Sequence, residues 1–376
     1  MTDGDPIYLD HNATTPLLPE VLDAMLPWLR DGFANPSSDH RGGRRARRAL
    51  DEAREALGAL LGAPPASVCF TSGGTESNNL AIFGTLAAIP GRPGVVTSTL
   101  EHPAVAEPCR ALAGRGHPLT WLPAGSDGRI QLPDALPADT ALATVMLANN
   151  ETGALQPVEE LCGLARQVGA LIHTDAAQAV GKVPIQFDAL GVDLLTVAGH
   201  KLYAPKGIGA LVIRPGTPIR SLLLGAGHEG GLRPGTENVA SIVALGVAAR
   251  LAAADLEAEI ARQRALSERL WASLQRRIPG LRRTIAPQLA LANTLHVRFP
   301  GVVGARILAR TPQLAASTGS ACHAGETHPS AVLLAMGLEP MDALGAVRLS
   351  LGRSTTEAQI DRAAEALGDA YLSCAA

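Results

Sequence analysis

The sequence predicts an α/β protein: a mainly parallel central sheet with helices on both faces, followed by a smaller α+β domain. Three observations carry this expectation. Short apolar β-type runs alternate with helix-period segments through the first two-thirds of the chain, the pattern of a parallel sheet wound by crossover helices. The pattern then changes to one long helix and a few isolated strands. The 376 residues are 47% hydrophobic and 18% charged, which suits a sizeable core and excludes a disordered chain. Length favours two or three packed domains.

Taken in chain order, residues 95–99, 143–147, 170–174, Leu194–Ala198 and 210–213 read as short buried strands. Helical periods occupy 75–88, 104–113 and 157–168 between them. Val239–Arg277 reads as a long Ala/Leu/Glu/Arg helix, open to a kink. Strands at 294–299 and 346–351 and a closing helix over 356–371 follow. The expected division is a large domain over 15–250 and a small one combining 1–14 with 251–376.

Charge and composition exclude several function classes. Net charge is −3, so no global basic field holds a nucleic acid. Aromatics are 3%, too few for base-stacking platforms. The cluster Arg41, Arg44, Arg45, Arg47 and Arg48 reads as a solvated helix face with i,i+4 ion pairs. The start, Met1-Thr2-Asp3-Gly4-Asp5-Pro6, is acidic and lacks a signal-peptide pattern. The nearest approach to a membrane span, 241–254, is interrupted by Arg250. A cytoplasmic protein without membrane contact is expected. Cys69, Cys109, Cys162, Cys322 and Cys374 are scattered without a CxxC pair, which argues against a disulfide framework or a structural zinc site.

Four motifs carry chemistry. Ser72-Gly73-Gly74-Thr75-Glu76 opens a helix after an apolar run and suits a phosphate, or equally an ordinary helix start. His173-Thr174-Asp175-Ala176-Ala177-Gln178 ends a strand. Strand ends face the ligand crevice of an open sheet, so Asp175 is poised for a cationic ring nitrogen; alone it reads as a helix cap. Gly199-His200-Lys201 follows the next strand, where a lysine of depressed pKa can capture an aldehyde. Together these three features match the needs of pyridoxal phosphate. Finally, Ser317-Thr318-Gly319-Ser320-Ala321-Cys322-His323 places a cysteine in a small polar segment, a setting that favours a reactive thiol. Cys322, His323, Glu326 and His328 fit no closed zinc motif.

With these motifs the sequence resembles the pyridoxal-phosphate-dependent cysteine desulfurases of the class V aminotransferase superfamily, in their NifS-like group I. The likeness runs from Tyr8-Leu9-Asp10-His11-Asn12-Ala13-Thr14-Thr15 through Asn35-Pro36-Ser37-Ser38, Glu101-His102-Pro103 and Ala148-Asn149-Asn150-Glu151-Thr152-Gly153. It continues through 173–182, Arg233-Pro234-Gly235-Thr236-Glu237-Asn238 and 348–353. It implies a fold-type-I transferase that converts L-cysteine to L-alanine. Cys322 would take the sulfur as a persulfide and pass it to an acceptor, such as an iron–sulfur scaffold protein.

Residue by residue, the resemblance makes Lys201 the Schiff-base lysine, Asp175 the partner of the pyridine nitrogen and His102 the imidazole stacked on the ring. Gln178 and Asn150 match ring contacts; Gly74, Thr75 and His200 match phosphate ligands. Thr236 matches a residue reaching the phosphate of the partner subunit, implying a homodimer. Asn35 and Arg348 match residues that position the substrate carboxylate, and no metal is implied. Ala198 departs from the serine common before Gly-His-Lys. The nearest rival is selenocysteine lyase, which shares the fold, but the lyases carry an acidic residue where Pro103 follows His102 here. A plain aminotransferase has no use for Cys322, and a catalytically dead scaffold has none for Lys201 and Asp175.

Overall fold

The computed structural model describes residues 6–318 and 328–375. The first half of the chain runs β1 (Ile7–Tyr8), α1 (Pro19–Arg30), α2 (Arg41–Leu61), β2 (Val68–Thr71), α3 (Gly74–Ala88), β3 (Gly94–Ser98), α4 (Pro103–Ala113), β4 (Leu119–Leu122) and β5 (Thr140–Thr144). It continues through α5 (Val158–Val168), β6 (Leu171–Asp175), α6 (Phe187–Leu190), β7 (Leu194–Ala198), β8 (Gly209–Ile213) and α7 (Val239–Arg277). The remainder is β9 (Arg282–Arg283), β10 (Thr294–Arg298), α8 (Gly304–Ala309), β11 (Leu314–Ala315), α9 (Ala331–Ala335), α10 (Pro340–Leu344), β12 (Ala346–Ser350) and α11 (Glu357–Ala375).

Seven strands form the central sheet in the order β2-β8-β7-β6-β5-β3-β4. Pairs from β7 through β4 are parallel, whereas β8 is antiparallel to both β7 and β2. The reversal has a simple cause. Only residues 199–208 join β7 to β8, too short for the crossover that a parallel return requires. The inner strands are buried along their whole length, as expected where helices cover both faces. One core lies between the sheet and α2 with the first half of α7; another lies under α3 and α4. Gly246 of α7 lies so close to α2 that a Cβ there would meet the Ala53 Cα at 2.7 Å.

A third core surrounds the antiparallel sheet β12-β10-β9 and the pair β1-β11. Helix α7 contributes Ile242, Leu245 and Ala249 to the first core and Leu266, Leu270 and Leu274 to the third. Between these halves the backbone breaks at Asp255 (φ −137, ψ 19). Arg353 donates to the Leu251 carbonyl just before the break and forks onto the Asp255 carboxylate at 2.6 and 2.8 Å.

Three details differ from the sequence expectation. Strand β4, Leu-Thr-Trp-Leu, lies at the sheet edge and is only partly buried, so it gives no apolar run to detect. The apolar stretch 143–147 overruns its strand, because residues after Thr144 leave the sheet to line a cavity. Helix α7 is long and apolar enough by composition to cross a membrane, Arg250 notwithstanding, but 56% of the apolar window is buried inside the protein. The arginine cluster of α2 does face solvent, but among the described residues it forms none of the expected i,i+4 ion pairs. Arg44 and Arg47 bond the carbonyls of Asp39 and Pro36, and Arg45 covers the Trp28 ring.

Candidate active site

The carboxyl ends of β3, β5, β6 and β7 open on one cavity of about 400 Å³, the place where an open α/β sheet receives its ligand. Lys201 lies three residues past the end of β7, in a single 3-10 turn. Its Nζ donates to the carbonyls of Asn12 and Ala13, the latter at 2.7 Å. Burial lowers its pKa to about 8; the Arg348 cation adds to this, and Asp175 and Asp10 oppose it. An amine so placed is partly uncharged near neutrality, as a nucleophile or base requires.

Asp175 is the last residue of β6 and only 7% exposed. Its Oδ2 accepts from Asn78 Nδ2 at 2.7 Å and its Oδ1 from the Ala177 amide at 2.9 Å. His102 follows β3 and caps α4, its Nδ1 accepting the Ala104 amide at 3.1 Å. The proton of the neutral ring therefore sits on Nε2. Burial favours that neutral ring by lowering its pKa, with Asp175 pulling the other way. Glu101 fixes this corner: it accepts from Ser98 Oγ and from the Met146 amide at the end of β5. Burial pushes the Glu101 carboxyl up to about 8.

At the far end of the cavity α3 begins without a side-chain cap, after Gly73 at φ 150. Gly74 and Thr75 line the cavity there, and the free N–H groups and dipole of that helix end favour an anion. His200 lies opposite; its Nδ1 contacts Thr14 Oγ1 at 3.1 Å, and burial lowers its pKa to about 4.

The remaining wall comes from the third core. Arg348 on β12 is 5% exposed; it bonds the Asn150 carbonyl at 2.7 Å and Asp10 Oδ1 at 2.6 Å. Its Nε is buried and, among the described residues, unpartnered. A buried donor left open in this way fits an absent acceptor such as a carboxylate. The donor set as a whole fits a phosphorylated aldehyde with a basic ring nitrogen: uncapped helix end, carboxylate and amine face one space.

Lys201, Asp175, His102, Gly74, Thr75, Asn150, Gln178, His200 and Arg348 thus share the cavity. Asn35 and Thr236 do not. Both are exposed on this chain, beside a second cavity of about 790 Å³ that their neighbours Ser37 and Glu237 line. The loop bearing Thr236 is held down by Glu229, which pairs with Arg54 and accepts the Phe70 amide at 2.7 Å on the sheet edge.

Cys322, with His323 and Glu326, lies outside the described residues. The described chain on either side is tied to the cavity wall: Ser317 pairs backbone to backbone with Arg348, and Ser330 Oγ donates to Glu151. Cys69, Cys109 and Cys162 are buried, and burial pushes each thiol up to about 12. Among the described residues no cluster could hold a metal ion. Sequence reasoning assigned no role to Asn12, Asn78, Glu101 or Lys182. Each stands in or beside a chemical motif, but each has at least one partner distant in sequence.

The aminotransferase class-V family matches residues 7–363. A cysteine desulfurase of Nostoc sp. is 44% identical over 366 residues, 96% of this chain and 92% of that protein. The cysteine desulfurase NifS of Azotobacter vinelandii is 45% identical over 362 residues, 95% of this chain and 90% of that one. A solved NifS-like protein superposes with a TM-score of 0.91 at 32% identity, covering 97% of this chain and 98% of the other. The chain therefore belongs to the class-V aminotransferases, in the family of the NifS-like cysteine desulfurases.

Proposed function

We propose that the protein is a pyridoxal-phosphate-dependent cysteine desulfurase. It converts L-cysteine to L-alanine and carries the sulfur away on Cys322. The observation that carries this reading is the convergence of Lys201, Asp175, His102 and Arg348 on one cavity, with the chain on both sides of Cys322 tied to its wall.

Pyridoxal phosphate would supply an aldehyde to bind the substrate amine and a cationic ring to accept the Cα electron pair. The start of α3 at Gly74 and Thr75, with His200, holds the phosphate. Asp175 faces the ring nitrogen and keeps a proton on it; Asn78 and the Ala177 amide keep the carboxylate in place. Gln178, Asn150 and His102, which line the cavity, would hold the ring. Lys201 would hold the aldehyde at rest, and its Nζ would take the substrate Cα proton. Arg348, which lines the cavity, would grip the substrate carboxylate through its guanidinium.

The Cys322 thiolate then attacks the substrate sulfur. A sulfur–sulfur bond forms, the carbon–sulfur bond breaks, and its electron pair stays with the carbon skeleton, which takes up protons and leaves as alanine. An acceptor thiol, on a scaffold for iron–sulfur clusters or a similar carrier, discharges the persulfide. Two copies of the chain form the working enzyme. Thr236, exposed and outside its own cavity, reaches the phosphate of the second copy, and Asn35 positions substrate from the same interface.

The test is alanine and sulfide release from L-cysteine with added pyridoxal phosphate and a thiol reductant. The expected result is turnover that disappears in Cys322→Ala. Turnover of L-selenocysteine alone, indifferent to Cys322, would overturn the assignment in favour of a selenocysteine lyase.

A further inference from the structure

Lys182 is a second lysine beside the cavity, and the reaction does not use it. Its Nζ donates to Gln178 Oε1 at 2.8 Å and to Asn12 Oδ1 at 3.1 Å. The other end of the Gln178 amide, Nε2, donates to the Asn12 carbonyl at 2.7 Å. The Asn12 side chain is fixed in turn. Its Oδ1 also accepts from Asn293 Nδ2 at 3.0 Å, and its Nδ2 donates to Thr294 Oγ1 at 2.9 Å. Thr294 Oγ1 passes its own proton to Asn293 Oδ1 at 2.9 Å. The network has one consistent direction. Reversing the Gln178 amide would set Oε1 against the Asn12 carbonyl oxygen, two acceptors face to face in a buried site, and would take from Lys182 Nζ its oxygen acceptor on Gln178.

We infer that Lys182 is a positioning residue: with Asn12 it locks the Gln178 amide so that the cavity meets an N–H donor, and the site therefore prefers a ligand whose ring oxygen is ionised and accepts. Gln178 lines the cavity and is 4% exposed. Its Nε2 spends one hydrogen on Asn12 and keeps the second. An amide turned the other way would offer an acceptor and favour a hydroxyl. The inference rests on the reading of this cavity as a pyridoxal-phosphate site, and it adds what that reading leaves open, namely which form of the ring oxygen the protein selects and which residue imposes the choice.

The experiment titrates pyridoxal phosphate into cofactor-stripped wild type, Lys182→Met and Lys182→Arg. Visible absorbance at one fixed near-neutral pH reports the binding midpoint and the balance between ionised and protonated ring-oxygen bands. Lys182→Met leaves Gln178 Oε1 buried and unpaired; loss of one oriented hydrogen bond corresponds to about tenfold weaker binding, with a shift towards the protonated band. Lys182→Arg keeps the donor and restores both. Equal midpoints and spectra in wild type and Lys182→Met, or no recovery in Lys182→Arg, would overturn the inference. Should Lys182→Met not fold, Gln178→Glu keeps a partner for Lys182 but removes the donor. The same band shift is then expected, and an unchanged spectrum sinks the idea. Wild type that takes up no pyridoxal phosphate at all refutes the cofactor reading itself, a result distinct from either.

Discussion

The two walls of the cavity are built in opposite ways. On the central-sheet side each chemical group stands within a few residues of the strand that aims it: Asp175 ends β6, Lys201 follows β7, and His102 follows β3. On the other side the groups are held by partners far along the chain. Arg348 reaches Asp10 across 338 positions, and Asn12 reaches Thr294 across 282. The first wall takes its precision from the sheet. The second takes it from a buried polar network in which each member depends on the rest. Substitutions in the first wall should therefore remove chemistry while leaving the fold, whereas those in the second should cost binding and stability together.

The largest expected effect tests the first wall. Lys201→Ala should lower alanine release by roughly 10⁴-fold while thermal unfolding stays close to wild type. Residual turnover within an order of magnitude of wild type would move the chemistry elsewhere. Next comes Arg348→Lys, which keeps the charge but not the fork. Loss of the charge-assisted contact is expected to raise KM for cysteine by about 100-fold, with a smaller change in kcat. A fall in kcat alone would mean that Arg348 serves the reaction step rather than binding. Third is Asn12→Ala, which leaves Lys182, Asn293 and Thr294 without their common side-chain partner. Urea unfolding should show a loss of about 2 kcal/mol, and an unchanged midpoint would dissolve the contrast between the walls.

The smallest effect is a pH dependence. In cofactor-free protein, labelling of Lys201 by an amine-reactive reagent, read by mass spectrometry, should rise with a midpoint at about 8. The folded-state pKa lies below the unfolded one, so between about 8 and the ordinary lysine range the unfolded chain binds more protons. This residue therefore makes stability increase with pH across that window, and Lys201→Met should flatten the rise.

The same contrast explains how much could be read from sequence. Strand ends, the glycine turn at Gly73 and the motifs around Asp175 and Lys201 are local, and local pattern reveals them. The helix boundaries of α7 were legible because small residues and leucines repeat along it. Asn12 and Lys182 were not, because the network that gives both their role closes only when Asn12 meets residues far along the chain. Lys182 stands four residues after Gln178, but Asn12, 170 positions away, joins the pair only in the fold. The half-exposed edge strand β4 escaped for another reason: its side chains face too mixed an environment to write a period.

Helix α7 gives the molecule a mechanical property beyond its packing. Its two halves, joined at the kink at Asp255, feed leucines into two cores, and the Arg353–Asp255 fork braces the joint. Arg262, about two turns of helix further on, bonds the carbonyls of Gly352 and Thr355 at 2.8 Å. A rod shared in this way leaves neither core free to melt by itself, since fraying on one side strips apolar cover from the other. Calorimetry should record one cooperative transition, with van't Hoff and calorimetric enthalpies in agreement. Severing the brace with Arg353→Ala is where that single peak should begin to split.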